Sequence, residues 1–347
     1  MNRAWAVRPG RDHSGGMTQR TQLRTRRLGA TGPSVSSPGL GCMGLSGAYG
    51  RTDDAESVRV IHSYLDAGGT LLDTGDFYGH GHNEMLIGRA LADRDRDAVV
   101  LSVKFGALRG PDGAPVGYDA RPEAMQNFLT YSLNRLGVDH VDVYRPARLD
   151  PNVPIEDTVG AIAEMVDKGY VRHIGLSEVG AETIRRAAAV APISDLQIEY
   201  SLLTRGIEDE ILPTCRELGI GITAYGVLSR GLIGGSGAVD GGLRAMPRFQ
   251  DGNREHNEAL VARVREIAAE KDATVAQLAI AWVAAQGEDV LPVIGARRPG
   301  QIDTMIASND VHLDAADLAR LGELIPRDAV RGDRYPSVHM AALDSEK

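Results

Sequence analysis

From residue 37 onward, short apolar segments alternate with longer amphipathic ones. The apolar segments read, in chain order, GLGCMGL, TLLDTG, AVVLSVKFG, HVDVYR, VRHIGLSE, DLQIEY, IGITAYG and VLPVIGA. The segments DAESVRVIHSYLDAG, RPEAMQNFLTYSLNRLG, IEDTVGAIAEMVDKG and AETIRRAAAVA repeat apolar residues at helical spacing. Glycines end some of them, as at Gly137 and Gly169, where helix C-termini favour this residue. Because a parallel crossover needs a helix-length connection, the alternation predicts parallel strands joined by helices.

Eight such strands with their helices predict an α/β fold, a closed (β/α)8 TIM barrel. The segment AVVLSVKFG is apolar almost throughout, as expected of a strand that is buried on both faces. The alternative is an open doubly wound sheet, which usually carries G-x-G-x-x-G after its first strand. That pattern does not follow GLGCMGL, so the barrel is favoured, with residues 17–347 as one domain.

Two segments outside the repeating pattern are expected to lie at the ends of the barrel. TQLRTRRLGATGPSVSS precedes the first strand and predicts a β-hairpin with Gly32 and Pro33 at or near its turn. This hairpin could plug the N-terminal end of the barrel. Residues 226–253 form a long loop between the seventh and eighth strands, and loops of this length are normally functional or disordered. Two helices are predicted after it, at about 254–271 and 274–286.

Composition excludes several classes of protein. The formal net charge of -9 argues against a nucleic-acid partner, because phosphate binding needs a basic surface. Cys42 and Cys215 are the only cysteines, which argues against a disulfide framework or a zinc site and indicates a reducing, cytoplasmic compartment. No apolar run approaches the ~20 residues of a membrane span. The oligomeric state stays open, a homo-oligomer included.

The first residues of the chain show no sign of a folded element. Residues 1–16, MNRAWAVRPGRDHSGG, are basic and glycine-rich and lack the apolar core of a secretory signal. Met17 follows them directly, so either methionine could be the start. We expect residues 1–16 to be a disordered extension, and a protein beginning at Met17 to melt at the same temperature.

The predicted strands end in groups that can do chemistry, at the end of a barrel where enzymes of this fold carry their active sites. In chain order these ends carry Asp73, Tyr78, Lys104, Ala147, Ser177, Glu178, Gln197, Tyr200 and Tyr225. A buried lysine is rare and needs a partner, and adjacent strands would place Lys104 within salt-bridge reach of Asp73. On its own this pair could serve only to fix strand register.

Tyr78 gives the pair a chemical use. A phenol has a pKa near ~10 and is a poor acid at neutral pH unless a cation stabilises its phenolate. Lys104 beside Tyr78 would supply the cation, and Asp73 would hold the lysine in place. The three residues predict a general acid.

Several stretches together carry a family resemblance. They are GLGCMGLSGAYG (39–50), DTGDFYGHGHNEMLIGRAL (73–91), SVKFG (102–106), SLNRLGVDHVDVY (132–144), GYVRHIGLSE (169–178), DLQIEYSLLTR (195–205), AYGVLSRGL (224–232) and IGARRPGQIDTM (294–305). With them the chain resembles the aldo-keto reductases, in the branch similar to potassium-channel β-subunits and bacterial aryl-alcohol dehydrogenases. The resemblance extends over nearly the whole chain from residue 27.

The resemblance implies an NADP(H)-dependent oxidoreductase that reduces aldehydes and ketones, or oxidises the alcohols, by direct hydride transfer. A second class stays open, a regulatory protein that senses NADP(H) with slow or no turnover. Asp73, Tyr78 and Lys104 match three members of the family's catalytic tetrad. The intact set favours the enzyme, since a sensor needs no tuned acid.

The resemblance also implies the cofactor contacts. Ser177 and Gln197 match residues that hold the nicotinamide carboxamide. Glu178 is a further implied cofactor contact, at a position where the family usually has Asn or Glu, and Tyr225 matches the ring that stacks on the nicotinamide. The loop 226–237 matches the strap over the pyrophosphate, and GARRPGQIDTM the segment that cradles the adenosine and its 2′-phosphate. The resemblance implies a cofactor contact at Gly44, after the first strand. In the strap and in the adenosine segment it implies contacts at Gly226, Leu228, Ser229, Arg230, Gly231, Gly295, Arg297, Arg298, Gln301 and Met305. Met305 is a departure, because the family usually has an adenine-binding Asn there.

The expected substrate pocket is formed by Tyr49, Tyr78, Ala147 and Arg148, with walls from residues 47–51, the loop at 107–119 and the C-terminal tail. A second departure from the family lies in this pocket. Most relatives end the fourth strand with a motif like Q-H-R-x-D-P, in which the His completes the tetrad and orients the carbonyl. RPARLDP places Ala147 at that position. Because Pro146 lacks an amide donor, strand pairing is expected to stop near Arg145.

Other groups could replace the missing imidazole. The candidates for a second donor are a water molecule, Arg145 and Arg148. His80 and His82 also lie near Tyr78 in the sequence, although a loop histidine is usually solvated.

Overall fold

The computed structural model describes residues 23–48, 50–234, 246–250 and 252–347. The expected extension at 1–16, Tyr49 and the middle of the long loop, including the last residues of the 226–237 strap, lie outside the described residues. The strands are β1 Arg24–Arg27, β2 Ser34–Ser37, β3 Gly39–Gly41, β4 Leu71–Gly75, β5 Val100–Phe105, β6 Ala107–Arg109, β7 Pro115–Tyr118, β8 Val141–Pro146, β9 Val171–Ser177, β10 Ile193–Glu199, β11 Gly221–Tyr225 and β12 Val290–Gly295. The helices are α1 Asp54–Asp66, α2 His82–Leu91, α3 Pro122–Leu136, α4 Ile155–Asp167, α5 Ala181–Val190, α6 Ile211–Glu217, α7 Asn253–Ala262, α8 Arg265–Glu270, α9 Val275–Ala284, α10 Pro299–Ala307, α11 Ala315–Leu324 and α12 Ser337–Met340.

Eight parallel strands close into a barrel in the order β3, β4, β5, β8, β9, β10, β11 and β12. The last strand returns to the first, with Val293 opposite Gly39. The main core lies between these strands and the surrounding helices, and it buries side chains such as Leu72 of β4 and Ile61 of α1 completely. The predicted (β/α)8 barrel is confirmed. All the strand ends named from the sequence therefore meet at one end of the barrel.

The predicted N-terminal hairpin is confirmed and covers the opposite end. Its turn closes through a hydrogen bond from the Leu28 amide to the Pro33 carbonyl (3.0 Å). Gly29 has a φ of 62°, and a Cβ there would lie only 2.3 Å from the carbonyl oxygen of Ser194 at the start of β10. Only glycine fits both conditions. Leu28 packs with Val143 and other strand residues in a small second core, so the hairpin acts as a plug.

The chain differs from the sequence prediction in two local features. The helix predicted at about 254–271 is two helices, α7 and α8, separated where Arg263 and Val264 make short i→i−3 hydrogen bonds. This tighter turn ends α7, while Val264 stays fully buried. The segment after β5, expected as a pocket loop at 107–119, contains the antiparallel hairpin β6–β7. No helix within the described ranges is long and apolar enough to cross a membrane.

Candidate active site

Asp73 and Lys104 form a buried ion pair at the C-terminal end of neighbouring strands. Lys104 Nζ donates to Asp73 Oδ2 at 2.7 Å, as the adjacency of β4 and β5 predicts. The other carboxylate oxygen accepts hydrogen bonds from Ser102 Oγ (3.0 Å) and Gln197 Nε2 (2.9 Å). Burial is the main reason that the pKa of Lys104 lies below its ordinary value; Asp73 opposes this shift and Arg145 adds to it. The ion pair thus holds the lysine in place, and burial makes its charged form less favourable than in water.

Tyr78 lies beside this lysine, on the turn that follows β4. The residues after it, Gly79 and His80, both have a φ of 55°, which reverses the chain within a few residues. The Tyr78 ring packs edge-on against Phe77, with 4.8 Å between ring centroids. Lys104 Nζ is 5.1 Å from the centroid of the Tyr78 ring. The structure therefore brings together the phenol, the cation and the carboxylate that the sequence singled out.

Asp76, a residue that the sequence analysis did not consider, is a second buried carboxyl on this turn. Burial and, to a lesser degree, the charge of Glu84 raise the pKa of Asp76 to about 7. The Gly106 amide, which donates to Asp76 Oδ2 at 3.3 Å, opposes the shift. A carboxyl with this pKa changes charge near neutral pH, two residues before Tyr78.

A stability measurement tests this assignment. Since folding raises the pKa of Asp76, the folded protein holds its proton more tightly than the unfolded chain. Asp76 therefore lowers the free energy of unfolding as the pH rises from about 4 to about 7. In Asp76→Asn this part of the decline should disappear in urea titrations at several pH values. Asp93→Asn, on the surface, should leave the decline unchanged, and a decline of wild-type size in Asp76→Asn would refute the assignment.

Strand β8 ends at Pro146, directly before Ala147. Phe105 is paired with Pro146, and the Ala147 amide donates to the Phe105 carbonyl at 2.8 Å. Strand pairing thus stops close to Arg145, as the sequence predicted. On the β9 side the ladder already ends at Tyr144, so the donor that proline lacks is not needed there. Ala147 is 2% exposed and sits at the end of an ordered strand.

The candidate replacements for the tetrad histidine lie in different surroundings. Arg145 is unavailable to a substrate, because its side chain is completely buried in an ion pair with Asp195 inside the barrel. His82 bonds to Ser46 and Asp54 through its two ring nitrogens, whereas His80 is exposed. That leaves Arg148, which is half-buried and directly follows Ala147.

Arg148 stays charged in this position. Burial would lower the pKa of Arg148, but the nearby Tyr225, Tyr335 and Glu178 raise it above its ordinary value. Its Nη1 donates to the Ala147 carbonyl at 2.6 Å, which holds the guanidinium at the end of β8. The arrangement keeps a fixed donor close to the position of the missing imidazole.

Ser177 is the last residue of β9 and is paired with Gln197, which lies two residues before the end of β10. The Gln197 amide is turned toward Asp73, to which it donates. Ser177 is 1% exposed, and its Oγ has no hydrogen-bond partner among the residues that the structure describes. A buried hydroxyl without a partner is unfavourable, which marks this point as a place for a polar ligand group.

The C-terminal tail completes this end of the barrel, as expected, but through residues that the sequence analysis did not single out. Arg334 forms a paired contact with the fully buried Glu178, from Nη1 to Oε1 (3.0 Å) and from Nη2 to Oε2 (2.9 Å). Tyr225 and Ser345 also donate to this carboxylate, each at 2.7 Å. Tyr335 joins them through its hydroxyl, 3.0 Å from that of Tyr225.

A signal for the tail was present in the sequence. Glu178 and Glu199 end neighbouring strands and are both buried, and buried carboxylates need cationic partners. The arginine in the tail segment GDRYP is such a partner, since Arg334 also lies 3.4 Å from Glu199. No periodicity shows which arginine is used, so the pairing emerges only from the fold.

The strap after β11 begins with a run of unusual backbone conformations. Gly226, Ser229, Arg230 and Gly231 all have positive φ values, between 47° and 97°. Backbone of this kind is held only where the surroundings enforce it and clusters at ligand sites. The Arg230 guanidinium lies 4.5 Å from the centroid of the Tyr335 ring and 3.2 Å from Glu199. Leu228, within the strap, is half-buried.

The start of α10 presents the predicted arginines. The Arg297 and Arg298 amides both donate to Gln301 Oε1, at 2.7 and 3.0 Å. Arg297 Nη2 also donates to the Arg51 carbonyl at 2.7 Å, while Arg298 is exposed. Met305 does not share this surface, because it is 1% exposed and packed in the core.

The remaining implied contacts are two glycines. Gly295, at the end of β12, is exposed next to the two arginines. Gly44 is buried in a short 3-10 helix after β3. In the described part of the chain, no group of three or more His, Cys, Asp or Glu residues could hold a metal ion.

The closed barrel and its strand-end phenol, lysine and carboxylate define a class, the barrel enzymes that act on carbonyl compounds and alcohols. Within that class the chain belongs to the aldo/keto reductase family, whose sequence profile matches residues 39–326. A probable aldo-keto reductase of Glycine max is 43% identical over 327 residues, which cover 92% of this chain and 93% of that protein. The chain is thus an oxidoreductase of carbonyls or alcohols.

Solved structures show the same architecture. The structure of the glycerol dehydrogenase of Gluconobacter oxydans matches this chain with a TM-score of 0.77 at 28% sequence identity. The match covers 95% of that protein and 87% of this chain. An aldo-keto reductase of Bacillus halodurans, solved in its holo form, has a TM-score of 0.74 at 25% identity. This match covers 97% of that protein and 88% of this chain. The likeness therefore extends over almost the whole barrel.

Proposed function

We propose that the protein is an NADP(H)-dependent reductase of aldehydes and ketones, able to run in reverse on alcohols, with Tyr78 as the proton donor. One observation carries the proposal. The Lys104–Asp73 ion pair is buried at 2.7 Å, and its ammonium group lies 5.1 Å from the Tyr78 ring. A cation fixed beside a phenol is what that phenol needs to become an acid near neutral pH.

The residues around this group suit a dinucleotide. Ser177 Oγ lacks a hydrogen-bond partner among the described residues, and it would form a hydrogen bond with the nicotinamide carboxamide beside Gln197. The left-handed backbone of the strap would follow the pyrophosphate, and the start of α10 would meet the 2′-phosphate with Arg297 and Arg298. When bound, NADPH supplies the hydride that reduces the carbonyl carbon.

In the reduction, Tyr78 gives its hydroxyl proton to the carbonyl oxygen as negative charge develops there. Lys104 stabilises the phenolate that remains, and Asp73 keeps the lysine oriented and charged. In the oxidation of an alcohol the phenolate takes the proton back. The substrate would lie near Ala147 and Arg148, with Arg148 as the second donor to its oxygen. The likeness to the channel β-subunit branch remains part of this proposal.

Ala147→His should raise the reduction of simple aldehydes by about one to two powers of ten in kcat/KM. The new imidazole would add one donor to the carbonyl oxygen, and a single such donor is worth about 10²–10³ at most. Steady-state kinetics with a panel of small aldehydes measures the gain. Ala147→Leu, which fills similar space without a donor, should show none. An equal change in both variants would mean that packing, and not polarisation, responds to this position.

NADPH should bind more tightly than NADH, and replacing Arg297 and Arg298 with Ala should remove most of that preference. Guanidinium groups pair with phosphate, and only NADPH carries a 2′-phosphate. Fluorescence titration of both nucleotides gives the ratio of dissociation constants. The matched control removes the exposed Arg263 and Arg265 instead and should keep the preference. Equal affinities in the unmutated protein would contradict the proposed cofactor.

Single-turnover oxidation of bound NADPH by a series of aldehydes separates the proposed enzyme from a nucleotide-sensing protein. The enzyme oxidises its NADPH at a rate that varies with the aldehyde. A sensor binds NADPH equally well but leaves it reduced on the same timescale, and that outcome would refute the proposal.

A further inference from the structure

A second ion pair lies inside the barrel, beneath the proposed catalytic residues. The side chains of Arg145 and Asp195 are both completely buried. Arg145 Nη1 lies 3.0 Å from Asp195 Oδ2, and Nη2 donates to Oδ1 at 3.2 Å. Ser194 and Thr223 also donate to the Asp195 carboxylate. The carboxylate is therefore surrounded by donors and holds the guanidinium in one orientation.

The neighbouring strand leaves room for this pair. A Cβ at Gly175, in the middle of β9, would lie 2.9 Å from both Arg145 Nε and Asp195 Oδ1. Any side chain at this position would collide with the pair. A strand interior normally disfavours glycine, so the local sequence fits the presence of two buried charges.

Arg145 is connected to the proposed acid through one serine. Its Nη2 donates to Ser102 Oγ at 3.0 Å, and Ser102 Oγ donates to Asp73 Oδ1 at 3.0 Å. Asp73 in turn holds Lys104 at 2.7 Å. The chain of contacts thus runs from Asp195 to the cation beside Tyr78 and consists of residues that are 4% exposed or less.

Stability alone does not explain such a pair. Desolvating two charges offsets most of their attraction, and well-packed apolar residues usually serve the fold as well. We propose that Arg145 is a positioning residue for the reaction: held by Asp195, it fixes Ser102 and Asp73, and its charge acts on Lys104 and Tyr78. The proposal rests on the function proposed above.

The charged surroundings give the sign of the effect. Lys104 is faced by Asp73 from β4, Arg145 from β8 and the Cys42 thiol from the loop after β3, and burial raises the pKa of that thiol, which stays neutral. Asp195 on β10 balances Arg145. Arg145→Met would therefore leave an unbalanced anion and make the Tyr78 phenolate less favourable. Asp195→Asn would leave an unbalanced cation and do the opposite.

The experiment is a pH titration of the full chain labelled with [13Cζ]tyrosine, followed by NMR, with Tyr78→Phe to assign the signal. In Arg145→Met the Tyr78 midpoint should rise by about 0.5–1 pH unit, and in Asp195→Asn it should fall by a similar amount. The double variant and Arg145→Lys should both return close to the wild-type midpoint. Because single variants leave a buried charge unpaired, each is first checked for a cooperative melt, and the two opposite shifts give independent tests.

Ser102→Ala tests the positioning contact without changing any charge. We expect kcat for aldehyde reduction to fall by about threefold to tenfold with KM and the Tyr78 midpoint unchanged, while Ser132→Ala, another buried serine, leaves kcat unchanged. A Tyr78 midpoint that is the same in wild type and in every folded variant, with full activity in Ser102→Ala, would overturn the proposal. The titration needs no turnover, so a wild type without reductase activity would refute the proposed function separately.

Discussion

Tyr78→Phe is expected to lower the kcat for carbonyl reduction by about 10² to 10⁴, the usual contribution of a general acid. The substitution removes only the hydroxyl that donates the proton, while the ring can keep its edge-on contact with Phe77. NADPH affinity should stay within about twofold, because the adenosine contacts proposed at Arg297 and Arg298 are unaffected. Steady-state and binding measurements on the same preparation separate the two effects.

A surface tyrosine provides the control for this experiment. Tyr170 is 47% exposed, and Tyr170→Phe should leave kcat unchanged. Unchanged activity in Tyr78→Phe would mean that the proton comes from another group. His80, His82 and Arg148 would then be tested in turn, and the ion pair of Lys104 and Asp73 would become a structural feature only.

Arg334→Met is expected to lower the free energy of unfolding by about 3–5 kcal/mol, as is usual when one partner of a buried ion pair is removed. Glu178 and Glu199 are fully buried in the ion pairs with this arginine. Burial would raise the pKa of Glu178, but Arg334 and the Tyr225 hydroxyl hold it at about 2. Without the arginine, a buried carboxylate stays uncompensated.

Urea unfolding at neutral pH measures this loss. Arg331→Met removes an exposed arginine from the same tail and should change the free energy by less than about 0.5 kcal/mol. Arg334→Met combined with Glu178→Gln should recover part of the loss, because the second change removes one unpaired charge. If Arg334→Met unfolds like wild type, the tail does not stabilise this end of the barrel.

The pH dependence of the same pair has a defined sign. Because folding lowers the pKa of Glu178, its contribution is present above the ordinary pKa of a glutamate and is lost as the pH falls toward about 2. This is opposite to Asp76, whose raised pKa makes it destabilising as the pH rises toward about 7. The two carboxyls therefore contribute slopes of opposite sign to the dependence of stability on pH.

The barrel and the Asp73–Lys104 pair could be predicted from sequence because both depend on local periodicity and on strand adjacency. Alternation of strands and helices fixes which ends meet, and neighbouring strands place Asp73 and Lys104 together. The hairpin plug followed from its turn residues. These features need no knowledge of distant contacts.

The features that sequence reasoning missed depend on contacts between distant segments. Arg334 reaches Glu178 from 156 positions away, and Arg145 meets Asp195 from 50 positions away. The sequence left Arg145 open as one of several second donors to the substrate, whereas the structure buries its side chain completely in the ion pair with Asp195. Met305 was expected at the nucleotide because of its place in a motif, but the packing of α10 buries it.

Transfer of deuterium from cofactor to product tests the central claim most directly. NADPH deuterated at the transferring position of the nicotinamide is mixed with the protein and an aldehyde, and the alcohol is analysed by mass spectrometry. The expected result is an alcohol that carries one deuterium on its former carbonyl carbon, formed by wild type and at least about a hundredfold more slowly by Tyr78→Phe. Bound NADPH without labelled alcohol, or equal rates in the two proteins, would contradict the account.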